Sequence, residues 1–227
     1  MKAQQVVKRF VVGSAALAFT VLLIGAMLDP LAAGVDLRAA VSANLAASGV
    51  AHPVTAVLLN FRAYDTLLEI AVLILALIVI LASGLEPASS RPRTVDAVLQ
   101  TLAQLAAPSM IVVAVYLLWA GAFRPGGAFQ AGAVLAAAGV LLHLTGLLPG
   151  WQAPTLKLRL GLTAGLLIFL AIAAGLLLQG ALLQYPPAQA GMLILLIEAA
   201  LTASLGLILA GLFLFLSRDP ADPGDPT

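Results

Sequence analysis

The stretch IAVLILALIVILAS, residues 70–83, carries no charge and is apolar on every side of a helix. A surface helix of a soluble domain would keep one polar face, and a strand of an outer-membrane barrel would alternate apolar and polar over about ten residues. A bilayer core of roughly 30 Å requires about 20 helical residues of this kind. Working outward, stretches of the same character put the expected spans at residues 11–28, 65–83, 105–123, 129–148, 160–183 and 192–216. The chain is therefore expected to be all-α, a polytopic membrane protein with about six transmembrane helices.

Composition agrees. Of 227 residues, 62% are hydrophobic and 9% charged, too apolar for an ordinary soluble domain. The formal charge of +1 offers no field for nucleic acid and no acidic tail for a cationic partner. With no cysteine there is no disulfide framework, thiolate metal site or iron–sulfur cluster. His52 and His143 are far apart and in no zinc-hydrolase spacing. No cofactor and no metal site are expected.

Lys2, Lys8 and Arg9 precede the first apolar run in the manner of a secretory signal. The run exceeds the 7–15 residues of such a core, so it reads as a retained transmembrane helix. Across six spans, Lys2, Lys8, Arg9, Arg91, Arg93, Lys157, Arg159 and Arg218 fall on the amino-terminal side, against Arg38, Arg62 and Arg124 opposite. The positive-inside rule then puts both termini in the cytoplasm. Residues 29–63 read as the longest non-membrane segment and residues 84–104 as a polar cytoplasmic linker. The expected division is a two-helix module over 1–90, a four-helix domain over 91–218 and a disordered tail over 219–227, which is rich in Asp and Pro.

Carboxylates within spans are the candidates for function, since each costs about 2.5–3.5 kcal/mol at a helix centre and needs a partner or a purpose. Asp65 and Glu69, four apart, share one helix face. At about 1.5 Å per residue, Glu69 lies about 21 Å and Asp65 about 27 Å from the cytoplasmic end of its span, with Glu198 at a similar depth, about 27 Å from Leu216. His143 lies about 9 Å from Pro149, away from the acids. These four residues can be read as a proton or cation relay. They can also be read as polar contacts between helices or subunits, the plainer reading for His143, whereas function is the favoured reading for Glu69. Arg62 can either pair with Asp65 or reach the outer headgroups.

The loop after the third span, Arg124-Pro125-Gly126-Gly127-Ala128-Phe129-Gln130-Ala131-Gly132, reads first as a tight turn, with Gly132 and Gly139 allowing close helix approach. Nothing in it matches a phosphate-binding loop. Tyr116, Trp119, Phe123, Trp151 and Tyr185 lie near span ends, as an interfacial belt would.

Two blocks, NFRAYDTLLEIAVL (60–73) and RPGGAFQAGAVLAAAGVLL (124–142), together resemble the Mrp-type multisubunit cation/proton antiporters. The second is similar to the PGGGFQGG signature of the B subunit, with Pro125, Gly126, Gly127, Phe129, Gln130 and Gly132 in matching positions, and the span with Glu198 resembles that subunit's last helix. The first is similar to the FRGFDTLGE motif at the end of the large A subunit and in the E-type subunit of related membrane-bound hydrogenases, with Arg62, Asp65, Thr66 and Glu69 matching. Ala63, Leu68, Ala128 and Ala131 stand where those motifs have glycine.

The resemblance implies an E-like module fused to a B-type domain, in a bacterial plasma-membrane complex that exchanges Na⁺ or another monovalent cation for H⁺. It implies partner subunits of the A, C, D, F and G types and a role in ion translocation for the acids matching Asp65 and Glu69. On this reading the chain is a transporter subunit and not an enzyme, with Glu69 handling the ion, Asp65 its partner and Glu198 auxiliary. Two rivals are a purely structural assembly subunit and a membrane-arm subunit of a related redox-driven or ion-coupled complex.

Overall fold

The structure, a computed structural model, describes residues 2–28, 36–82, 96–148, 155–178, 180 and 182–216. The expected junction near residue 90, Trp151 and the tail over 219–227 lie outside these residues. Helices α1 (Lys2–Leu28), α2 (Leu37–Ser48), α3 (Pro53–Ala56), α4 (Ala63–Ala82), α5 (Ala97–Ala120), α6 (Ala128–Leu144), α7 (Leu156–Leu177) and α8 (Pro187–Leu216) make up the fold, and no strand occurs among the described residues. Five helices are long and apolar enough to cross a membrane, or six if a bent pair is one span. The protein is a multi-pass membrane protein.

The chain divides into two compact units, Met1–Ala40 and Val41–Thr227. In the first, every α1 side chain that is described is exposed, and the Thr20 hydroxyl donates to Ala16 O at 2.9 Å, satisfying itself within the helix. The Asp36 carboxylate accepts from the N–H groups of Arg38 and Ala39 at 3.0 and 3.2 Å, so that it starts α2 as a helix cap.

Two expectations are corrected. Part of the segment over 29–63, read as lying outside the membrane, forms an apolar broken helix: Leu37–Ser48 and Pro53–Phe61 meet at 86° and together have the length and composition of a span or a re-entrant loop. Gly49, at φ +73°, ends the first piece and Pro53 opens the second. Each piece is shorter than a span, so a search for about 20 unbroken apolar residues passes over both. The second piece ends in a π-helical turn, Val57–Phe61, in which Arg62 N donates to Val57 O at 2.8 Å. The other correction concerns residues 97–104, expected in a linker, which form the first turns of α5. The Asp96 carboxylate caps them by accepting from Val98 N at 3.0 Å. Polar Gln100, Thr101 and Gln104 hide this start in the sequence.

The α8 helix is central, packed by α4, α6 and α7, while α5 lies mainly against α6. Between helices in lipid there is no hydrophobic drive, so close approach at small residues and hydrogen bonds must hold them. A Cβ on Gly132 would sit 2.8 Å from Leu205 Cβ, and one on Gly206 would sit 3.1 Å from Leu135 Cβ, which fixes α6 on α8. On the α7 side a Cβ at Gly165 would lie 2.8 Å from Ser204 Cβ, and the buried Ser204 hydroxyl donates to Leu162 O at 2.6 Å. Gly139, expected to permit close approach, does not: a Cβ there would meet Ala210 Cβ at 4.0 Å, an ordinary contact.

Candidate functional site at the start of the α6 helix

The turn between α5 and α6 is built on one carbonyl. Leu117 O accepts from Gly121 N at 3.1 Å and from Gly127 N at 2.9 Å, folding residues 121–127 back on the end of α5. The fold-back leaves no room for side chains: a Cβ on Gly126 would sit 2.5 Å from Leu117 O, and one on Gly121 would sit 2.7 Å from Gly127 Cα. Gly127 is the N-cap of α6 at φ +106°, ψ −170°, a region that is essentially glycine's own. It has no side chain with which to cap the helix.

Glu198 of α8 stands beside it. A Cβ on Gly127 would come 2.6 Å from Glu198 Oε1, and the Ala128 backbone amide is close enough to act electrostatically on the Glu198 carboxyl. Glu198 is 6% exposed, between the buried Ile194, Ile197 and Leu201 on its own helix. A carboxylate at this depth is costly, and the first N–H of α6 with the positive end of its dipole is the compensation on hand. Gln130 stands at the edge of the site, its Oε1 4.0 Å from the same Gly127 Cβ position. The group can hold a proton as a neutral acid, or accept hydrogen bonds and attract a cation as a carboxylate.

The other candidates lie elsewhere. Arg62 closes the π turn, and its guanidinium is ion-paired with Asp65; both side chains are largely exposed. Thr66 is buried and its hydroxyl donates to Leu58 O at 2.6 Å, tying the π turn to α4. Glu69 is exposed on the outer face of α4, among Leu68, Val72 and Leu75, and has no hydrogen bond or ion pair among the described residues. Of the three acids, then, Glu198 is the one buried within the chain, and Asp65 and Glu69 face outward. His143 is near the other end of α6, about 22 Å along the helix from Ala128, and its buried Nδ1 has no partner among the described residues. Pro125 and Gly126 form the turn, while Phe129 and Gly132 lie on the first turns of α6.

Residues that the sequence did not single out hold the elbow together and against its neighbours, and Thr55 binds it to this site. The buried Thr55 hydroxyl donates to Gly121 O at 2.6 Å. Asn60 Nδ2 donates to Ser48 O at 2.9 Å. Gly49 is so close to the start of α8 that a Cβ would run into Pro187 O. The signal available was Thr and Asn within the apolar run after Pro53, in a segment too short to read as a span.

No curated protein matches this chain in sequence. Among solved structures, one chain of the Mrp complex from Dietzia sp. DQ12-45-1b is similar over 96% of this chain and 27% of its own length, with a TM-score of 0.64 and 20% identity. This chain thus spans about a quarter of that relative. A chain of the membrane-bound sulfane sulfur reductase, an archaeal respiratory membrane complex, is similar over 94% of this chain and 99% of its own, with a TM-score of 0.68 and 21% identity. At such identities the likeness is one of fold. Residues 98–217, which contain the Gly127 turn and Glu198, match the domain related to the MnhB subunit of Na⁺/H⁺ antiporter, a family of transporter subunits and not of enzymes. Since the match covers more than half of the sequence, this chain belongs to the MnhB-related family.

Proposed function

We propose that this chain is a membrane subunit of a multisubunit monovalent cation/proton antiporter, working beside other membrane subunits in a bacterial plasma membrane with both termini in the cytoplasm. The observation that carries the reading is Glu69, a carboxylate on the outward face of a spanning helix, beside the exposed Leu68, Val72 and Leu75. Facing lipid alone it would cost about 2.5–3.5 kcal/mol, so a partner subunit with polar groups or a hydrated crevice covers it. Asp65, held by Arg62 one turn before, stands at the entrance to that seam. Glu198 is the second carboxylate, on the inner side, able to store a proton at the start of α6. His143 contributes at the cytoplasmic end as a contact or a proton acceptor. The first two spans act as an E-like module joined to the family domain, a reading supported by solved chains that are similar over nearly all of this one.

The test is cation-dependent proton flux in vesicles holding the assembled complex. Glu69→Gln is expected to abolish it with all subunits still present, and Glu198→Gln to reduce it. Unchanged flux in Glu69→Gln would remove that residue from the ion path; a complex that falls apart would make it an assembly residue. A second reading, a membrane-arm subunit of a respiratory complex, draws on the near-complete coverage of the sulfane sulfur reductase chain. The subunits that co-purify distinguish the two: redox proteins in the purified complex favour the second.

A further inference from the structure

The Glu198 site and the helix bearing Asp65 and Glu69 are joined by a short series of contacts through glycine backbone and two threonine hydroxyls. On one side the Glu198 carboxyl abuts Gly127, whose Cα would be 2.7 Å from a Cβ on Gly121. Gly121 and Gly127 are further locked by their shared acceptor, Leu117 O. On the other side Gly121 O receives the Thr55 hydroxyl at 2.6 Å, and Thr55 is only 7% exposed. From Thr55 the backbone runs directly through the π turn to Arg62, and the Thr66 hydroxyl on Leu58 O fastens that turn to α4. The carbonyl at this helix end needs a donor and Gly121 is buried, so Thr55 satisfies Gly121 while fixing one helix on the other.

We infer that Thr55 is a positioning residue: its hydroxyl on Gly121 O couples the start of α6, where Glu198 abuts Gly127, to the π turn that orients Asp65 and Glu69. A shift of the Glu198 carboxyl moves Gly127, and with no slack at Gly121 the movement reaches α3. The transport half of this rests on the function proposed above; the structural half does not.

The experiment compares Thr55→Val, Thr55→Ser, Glu198→Gln and Thr55→Val with Glu198→Gln in the native complex, by hydrogen exchange and by flux. Loss of one buried hydrogen bond should raise exchange of the Gly127 amide up to about tenfold in Thr55→Val, whereas Thr55→Ser stays near wild type. Flux falls several-fold in Thr55→Val and is restored by Ser, and in the Glu198→Gln background Thr55→Val causes no further loss. Unchanged exchange in Thr55→Val overturns the inference whatever the complex transports. So do equal losses with Val and Ser, losses that multiply with Glu198→Gln, or a Thr55→Val complex that fails to assemble while the Ser variant succeeds, since that would mark a purely structural hydroxyl. If exchange responds as expected but the wild-type complex shows no cation-dependent flux, the coupling stands and the antiporter reading fails.

Discussion

Gly127→Ala is the sharpest perturbation the structure offers, because it meets two separate obstacles. At φ +106°, ψ −170° an alanine costs about 1–3 kcal/mol in backbone strain alone. Its Cβ would also be 2.6 Å from Glu198 Oε1, so the carboxyl must move away from the start of α6. Forcing extra atoms into a packed site costs about 1–3 kcal/mol. Together these amount to about 2–6 kcal/mol, or a fall in melting temperature of roughly 5–20 °C for a chain of this size. Thermal unfolding of the detergent-solubilised protein, followed by near-ultraviolet circular dichroism, reads the effect, with Gly139→Ala as the control because its Cβ meets only an ordinary contact. In a Glu198→Ala background the same substitution should cost only the strain, about 1–3 kcal/mol, because the clash has gone. If Gly127→Ala melted with the control, or cost as much without Glu198 as with it, the carboxyl would not be packed against Gly127 as described.

Other substitutions probe the packing. Gly132→Ala should loosen α6 from α8 and lower the melting temperature by several degrees, whereas Gly139→Ala changes it little; the two can be compared in one unfolding series. Ser204→Ala removes the bond to Leu162 O and should cost about 0.6 kcal/mol, at most about 1.7, as measured by a double-mutant cycle against a variant that opens the α7 contact. Arg62→Gln breaks an exposed ion pair and should cost less than about 1 kcal/mol of stability, so a large loss on unfolding would mean the guanidinium has a further structural partner.

The membrane class and the long spans were legible in the sequence because insertion depends on local composition: a run such as residues 70–83 has no other stable setting than hydrocarbon or a core. The Pro125-Gly126-Gly127 turn was legible as well, since its dipeptide demands a tight reversal. The elbow over 37–61 was not, because the break at Gly49 divides the apolar segment into two pieces too short to register. Nor was the facing of the acids. Asp65, Glu69 and Glu198 look alike in sequence, each a carboxylate among aliphatic residues at similar depth. A helix that is apolar all round gives no period by which to tell its protein side from its lipid side. The choice falls to close approach at Gly132, Gly165 and Gly206, which turns the Glu198 side of α8 inward onto α6, while Ile70, Ile74 and Leu77 turn the opposite face of α4 inward and leave Glu69 outside. Composition determined that these helices enter the bilayer; steric fit between them decided which carboxylate meets a helix end and which waits for a neighbour.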